Sequence, residues 1–314
     1  MIKIYRSSPT GDNKLEEVTV MEPGCWINIT APKEQELMLI TKRTGVPLEF
    51  LRAAMDDNET SRIDSEDGAL MFLFDIPFTE TEENSLTYDT YPLAIIHTED
   101  YLITVCLKGS KILQDFTNGK IRTFFTFKKS RFILQILQRI AAYYLIFLRQ
   151  IDKKSVMVEK RLYKSMKNRE LIHMLSLQKS LVYFTTSLKS NEATLDKMLK
   201  LDLMKKYEED RELLEDVIIE NRQAIEMAHI YGDVLAGTMD AFASVISNNL
   251  NIVMKLLAAI TILLTIPQII AGFFGMNTGG MDFAQGPNGT LLVTVGMIVA
   301  MIITFFYLSK RDMF

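Results

Sequence analysis

Polar and apolar positions interleave at short range over most of the chain, but towards its end the charged positions nearly stop. Residues 256–281 carry no charged side chain, and neither do residues 283–309. Each run exceeds the ~20 residues a helix needs to cross a hydrocarbon core, even after the polar turn between them takes its share. The pattern predicts two membrane helices, Leu256–Phe274 and Thr290–Leu308, in preference to a buried hairpin of a soluble protein. A third apolar stretch, RFILQILQRIAAYYLIFLRQI at 131–151, differs in kind. Its longest charge-free interval lies between Arg139 and Arg149, too short to span, so it predicts an amphipathic helix packed in a soluble domain.

Upstream, glycine and proline divide the soluble part in two. No glycine occurs between Gly119 and Gly232, and no proline between Pro92 and Pro267. Without either breaker, long helices are expected there. Before that, CWINIT (25–30), ALMFLFDIPF (69–78), PLAIIHT (92–98) and YLITVC (101–106) read as strands, with HTED as a tight hairpin connection between the last two. PKEQELMLITKRTG (32–45) reads as a helix, with proline near its start and Gly45 past its end. The expected order is an α/β domain over 1–120, helices packed on it over 121–200, and a long stalk helix over 201–255. The first span (256–274), an external loop (275–289), the second span (290–308) and a basic tail (309–314) complete it.

From about Leu203 a second periodicity sets in, with Ile218, Asn221, Ile225, Ala228, Gly232, Leu235, Met239, Phe242 and Ile246 recurring at spacings of three and four. The seam leads through Asn249 into the first span without interruption. One helix from about Lys205 to Gly275 would be on the order of 105 Å long, and several copies side by side are expected to shield it. A break near Gly232 or Gly237 is the competing expectation. Inside the span, Asn251, Met254, Ala258, Thr261, Thr265, Gln268 and Gly272 form a small or polar stripe, while Ile260, Ile262, Leu263, Leu264, Ile266 and Ile269 occupy the rest. Small residues suit close helix packing. Gln268 is too long for that purpose, and favours a face turned to a water-filled pathway. Two helices cannot enclose a pore, so such a pathway requires an oligomer.

Charge fixes orientation. Of 35 basic and 39 acidic residues, only Lys255, Asp282, Lys310, Arg311 and Asp312 lie beyond position 250. Lys255 precedes the first span, Lys310 and Arg311 follow the second, and the loop between holds Asp282 alone. Both termini are therefore expected in the cytoplasm of a two-span protein of the cell membrane. MIKIYRSSPTGDNK at the start lacks the apolar core of a signal peptide. Cys25 and Cys106 form no CxxC pair, which fits a reducing compartment. His97, His173 and His229 match no metal motif, and structural roles are expected for them. A stripe without carboxylate, His or Cys suits an ion that passes hydrated, and Mg2+ dehydrates reluctantly.

The stripe runs out in AGFFGMN (271–277), and Gly275, Met276 and Asn277 closing the first of two C-terminal spans resemble the motif of the CorA family of divalent cation transporters. SNNLNIVMK (247–255), the short second span and the tail LSKRDMF stand where that family has counterparts. VYFTTSLKSNE (182–192) and VPLEFLRAAMDDNETSRID (46–64) are similar to the firmicute-type members, so the resemblance covers nearly the whole chain. It implies a funnel-shaped homopentamer of α/β cytoplasmic domains, long α-helices and two C-terminal transmembrane helices. It also implies an outer selectivity ring at Asn277, a turn shaped by Gly275 and Met276, and pore-lining positions at Asn251, Met254 and Leu257, with Thr265 and Gln268 at mid-pore. Asp240 corresponds to an acid near the inner mouth, and Asp216 to a stalk acid that binds regulatory Mg2+ between subunits. Glu212 and Glu220 share a helix face with Asp216 at i, i+4 and i+8, a pattern that a solvated acidic face would also produce. The partner acid has no clear counterpart, since the region near Asp56 and Asp57 aligns on Arg52 or Ala53. The outer loop TGGMDFAQGPNG departs from the family's acidic MPEL-type sequence, leaving Asp282 as its only charge, and is similar to the zinc-transporting branch.

The expected function is potential-driven Mg2+ uptake through this homo-oligomer, gated by cytoplasmic Mg2+. No organic cofactor is implied. The expected partners are further copies of the chain, the lipid bilayer and divalent cations, with no nucleic acid. Movement of Zn2+, Co2+ or Ni2+, with coupling to protons, is the alternative transport reading. A membrane-anchored sensor is the non-transport one. An enzyme is not expected: the chain has no GxxxxGK[ST] loop, activated nucleophile or metal-ligand cluster.

Overall fold

In the computed structural model, the structure describes residues 1–7, 15–82, 85–121, 123–165, 168–201, 203, 207–276 and 288–311. Residues Met1–Thr238 make one compact unit and Met239–Phe314 a second.

The first unit is built on a seven-stranded sheet. Its strands are β1 (Ile2–Ser7), β2 (Leu15–Val18), β3 (Trp26–Thr30), β4 (Arg62–Glu66), β5 (Ala69–Glu82), β6 (Ser85–His97) and β7 (Leu102–Cys106), in spatial order β2-β1-β3-β7-β6-β5-β4. β3 and β7 pair in parallel, from Trp26↔Leu102 to Thr30↔Cys106, and the other neighbours are antiparallel. HTED is the tight connection expected from the sequence: the Thr98 N–H donates to the Tyr101 carbonyl at 3.0 Å. All four strands read from the sequence are present. β1, β2 and β4 were not anticipated, nor were the short helices α2 (Leu48–Ala53) and α3 (Lys111–Thr117).

Alternation sends successive side chains to opposite faces. Ile27, Ile29, Met71, Leu73, Ile103 and Val105 pack with Leu37 and Ile40 of α1 (Glu34–Thr44) and with Phe50 and Leu51 of α2. The opposite face holds Trp26, fully buried, whose Nε1 donates to Thr104 Oγ1 at 2.8 Å. Its ring stacks edge-on against Phe116 of α3 and Phe132 of α4 (Lys129–Ser165). The stretch at 131–151 is part of α4. Its apolar window is 56% buried inside the chain, as an amphipathic core helix requires.

α5 (Asn168–Met198) lies against β4, β5 and β6. β5 outruns β4, whose last pair is Arg62↔Leu73, so the backbone at Asp75 is left without a strand partner on that side. Asn191, 1% exposed, completes it: its Oδ1 accepts from the Asp75 N–H at 3.0 Å and its Nδ2 donates to the Asp75 carbonyl at 2.8 Å. A buried backbone pair that would otherwise lack partners is thereby satisfied by one side-chain amide.

α6 runs without a break from Glu208 to Phe274, through both Gly232 and Gly237. Its seam at Ile218, Asn221, Ile225, Ala228 and Leu235 is buried, and the same chain does the covering. The Asn221 Nδ2 donates to the Leu188 carbonyl of α5 at 3.0 Å, and the Arg222 Nε to Glu192 Oε1 at 2.7 Å. The expectation that neighbouring copies shield this seam is thus corrected for its first half. α5 reaches that face through the Leu188 carbonyl and the Glu192 carboxylate. α7 (Gly289–Ser309) closes the described chain.

Candidate ion pathway

The second unit contains the end of α6, α7 and the start of the basic tail. Among the described residues, α6 and α7 carry apolar windows long enough to span a membrane that are only 6% buried, unlike that of α4. On α6 Ala259 is fully buried, and Leu263, Thr265, Ile266, Pro267, Ile270 and Phe274 are half-buried. Two residues beyond Ala259, Ile266 and Ile270 stand Thr261, Gln268 and Gly272, which a step of about 200° carries to the opposite side of the helix. Asn251, Met254, Leu257, Ala258, Thr261, Gln268 and Gly272 are exposed, whereas Thr265 is half-buried.

The two threonine hydroxyls are already engaged. Thr261 Oγ1 donates to the Leu257 carbonyl and Thr265 Oγ1 to the Thr261 carbonyl, both at 2.7 Å. Such back-bonding satisfies a polar side chain inside hydrocarbon without a neighbour. Gln268 has no such recourse, and among the described residues none hydrogen-bonds its amide. Pro267 beside it lacks the N–H that would bond the Leu263 carbonyl, so the helix ladder also loses a rung there.

Past Phe274 the helix tightens. The Gly275 N–H donates to the Ala271 carbonyl at 2.9 Å and the Met276 N–H to the Phe273 carbonyl at 3.4 Å. A Cβ on Gly275 would sit 3.0 Å from the Ala271 oxygen, a tight contact that glycine avoids. Met276 is exposed. Asn277 and Asp282, the proposed ring and the outer acid, lie outside the described residues.

The regulatory candidates divide between the units. Glu212 and Asp216 are exposed on α6, while Glu220 is half-buried with its Oε2 enclosed and unpartnered among the described residues. Burial, then the charge of Asp216, pushes the Glu220 carboxyl up from its ordinary range. Asp240, in the second unit, is exposed. Among the described residues no three His, Cys, Asp or Glu side chains converge as a metal site. Arg52 is tied to α1, its Nε donating to Glu34 Oε1 at 3.0 Å, and Asp56 Oδ1 accepts from the Asn58 N–H at 2.9 Å. A cavity of about 890 Å3 lined by His97, Lys129, Arg131, Tyr207 and Glu209 contains none of the predicted residues. His97 there is held down to about 4 by burial and then by Lys129, so it is a neutral structural group at cellular pH. Sequence reasoning passed over Asn191, whose signal was an uncharged polar residue at an otherwise apolar helical position, whereas Asn221 was already part of the predicted seam.

The CorA-like Mg2+ transporter protein family matches residues 22–311 of the chain. A cobalt/magnesium transport protein CorA from Methanocaldococcus jannaschii is 26% identical over 99% of this chain and 98% of its own length. The complete structure of the CorA magnesium transporter from that organism superposes with a TM-score of 0.82 at 25% identity, covering 98% of this chain and 96% of its own. Full-length CmaX shares the fold at a TM-score of 0.69 and 13% identity, covering 98% of this chain and 97% of its own. The ZntB cytoplasmic domain from Vibrio parahaemolyticus shares it over 79% of this chain and 97% of its own, at 0.59 and 11%. With its α/β domain, long helices and apolar C-terminal pair, this chain belongs to the CorA-like family of membrane divalent cation transporters.

Proposed function

We propose that the chain carries hydrated Mg2+ into the cytoplasm down the membrane potential, through a pore where the α6 stripes of a homopentamer converge and the Asn277 side chains ring the outer mouth. One observation carries the reading: Thr261, Gln268 and Gly272 are left open on the side of α6 opposite Ala259, Ile266 and Ile270, and among the described residues none hydrogen-bonds the Gln268 amide. An amide in hydrocarbon is costly, and a water-filled axis removes that cost. A divalent ion gains about 4.6 kcal/mol per 100 mV of inside-negative potential, so no nucleotide is required.

The same reading places both termini in the cytoplasm, with two spans between them. Closure by cytoplasmic Mg2+ bridging Asp216, Glu212 and Glu220 to an adjoining copy extends it, and Asp240 adds negative charge towards the inner mouth. The enclosed oxygen of Glu220, unpartnered among the described residues, is the support for that extension.

The purified chain in liposomes, with an internal Mg2+ dye and an imposed potential, is the test. Mg2+ entry is expected in the parent and its loss in Asn277→Ala. Entry of Zn2+ that follows a proton gradient instead would replace this mechanism. Co2+ is the second cargo to measure, because the Methanocaldococcus relative is described as a cobalt/magnesium transport protein.

A further inference from the structure

The hairpin of α4 and α5 ends in a stretch that neither the core nor the ion pathway uses. Residues 152–170 read DKKSVMVEKRLYKSMKNRE, with more than twice as many bases as acids, in a chain whose formal net charge is −4. The fold sorts these charges. Asp152, Glu159 and Glu170 are half-buried, and Glu170 Oε2 is enclosed, 3.8 Å from His173 Nδ1. Lys154 also turns inward, its Nζ 4.8 Å from the centre of the Tyr88 ring. Lys153, Lys160, Arg161 and Arg169 are exposed. Two apolar side chains stand among the bases nearest the tip, Tyr163 at 61% and Ile172 at 62% exposure.

Packing fixes where the tip points. α4 starts level with the start of α6, where Arg131 Nη1 donates to Glu209 Oε2 at 2.9 Å and to Asp210 Oδ1 at 3.3 Å. Further on, Tyr231 of α6 lies within electrostatic reach of Asp152 and Arg149 of α4. The two helices therefore advance side by side in one direction. α5 returns beside them, with its Leu188 carbonyl on Asn221 and its Glu192 carboxylate on Arg222. From Asp152 to Tyr163 α4 climbs about 16 Å more, whereas α6 has about 10 Å from Tyr231 to the end of the first unit at Thr238. The tip thus stands at the end of that unit by which α6 leaves it, on the way to the uncharged run at 256–274.

Charges that meet only water have no reason to be sorted, since acids and bases suit such a surface equally. Here bases face out around an aromatic and a branched aliphatic side chain, the composition that suits phosphate head groups and the apolar layer beneath them. We propose that the tip docks on anionic lipid head groups, with Lys160, Arg161 and Arg169 meeting the phosphates and Tyr163 and Ile172 entering the boundary below. Long basic side chains keep their charge at head-group level while their stems cover apolar surface. The inference rests on the membrane location of the family to which the chain belongs, and on neither the pore nor its ion.

Site-resolved hydrogen exchange on the full chain is the test, in nanodiscs of phosphatidylcholine alone and of phosphatidylcholine mixed with phosphatidylglycerol. Amides of residues 157–163 and 168–174 are expected to exchange about tenfold more slowly in the anionic discs. That gain should shrink at about 1 M salt, where the screening length falls to about 3 Å. Combining Lys160→Gln, Arg161→Gln and Arg169→Gln should remove it at low salt, while unchanged amides of β6 and β7 report that the variant is folded. Equal exchange in the two discs, a gain indifferent to salt, or a gain retained by the triple variant would overturn lipid docking. Equal protection in both discs that vanishes when the oligomer is dissociated would put a second copy of the chain on the tip, and overturn it too. None of these readouts involves ion flux, so failure of the pore reading leaves the test intact.

Discussion

Gln268 and Asp115 illustrate opposite ways of keeping a polar group in a costly place. Gln268 is exposed on an apolar helix with no hydrogen-bond partner among the described residues, and a water-filled surrounding would supply one. Replacing Thr265 and Gln268 together with leucine is expected to abolish cation flux while leaving assembly, read by native mass spectrometry, unchanged. An anchor-only role for the spans predicts no functional loss. Asp115 is 1% exposed and carries its own solvation: Lys120 Nζ donates at 2.7 Å, Tyr143 Oη at 2.9 Å, and Arg139 also pairs with it. Burial works against its ionisation, but these three donors overcome it and hold the carboxyl below its usual range. Its contribution is therefore present at neutral pH and lost on acidification below the ordinary carboxylate range. Asp115→Ala strands the Arg139 charge, and a loss of about 3 kcal/mol in denaturant unfolding of the first unit is expected at pH 7.5, shrinking as the pH approaches 3. This site was not legible in the sequence, since an aspartate, a lysine and an arginine at such separations are joined only by packing.

At the scale of elements, what the sequence disclosed follows from burial. β3, β5, β6 and β7 are central or nearly so, and apolar on both faces, so they read as continuous hydrophobic runs. β2 (LEEV) and β4 (RIDSE) are the two edges of the sheet and carry charge there, as edge strands do, which hides them from a hydrophobic search. α2 and α3 are too short to show a period. α1 was legible to its last residue because Gly45 closes it at φ 76°. No atom crowds a Cβ at Gly45, so Gly45→Ala tests the backbone alone and is expected to cost about 1 kcal/mol in thermal unfolding. The seam of α6 was read correctly as apolar but assigned to the wrong neighbour. Periodicity reveals that a face is covered and says nothing about which chain covers it.

For the whole molecule, the sequence and the comparisons converge on a membrane cation transporter, and the two apolar C-terminal helices were legible from the absence of charge alone. The proposed assembly makes the stripe a shared wall, and the threonines on it then take on a further property. Thr261 and Thr265 each spend their only hydroxyl proton on a carbonyl of their own helix. What they present outward is therefore lone pairs. Repeated around an axis, such oxygens form a surface that is electronegative without being charged and cannot donate to a passing solute. Hydrated cations turn their water hydrogens outward, towards such acceptors. Hydrated anions turn water oxygens outward and find no donor at these two levels. Discrimination by the sign of charge would thus be written into the direction of a hydroxyl bond, at positions where a carboxylate would hold a divalent ion too tightly to let it go.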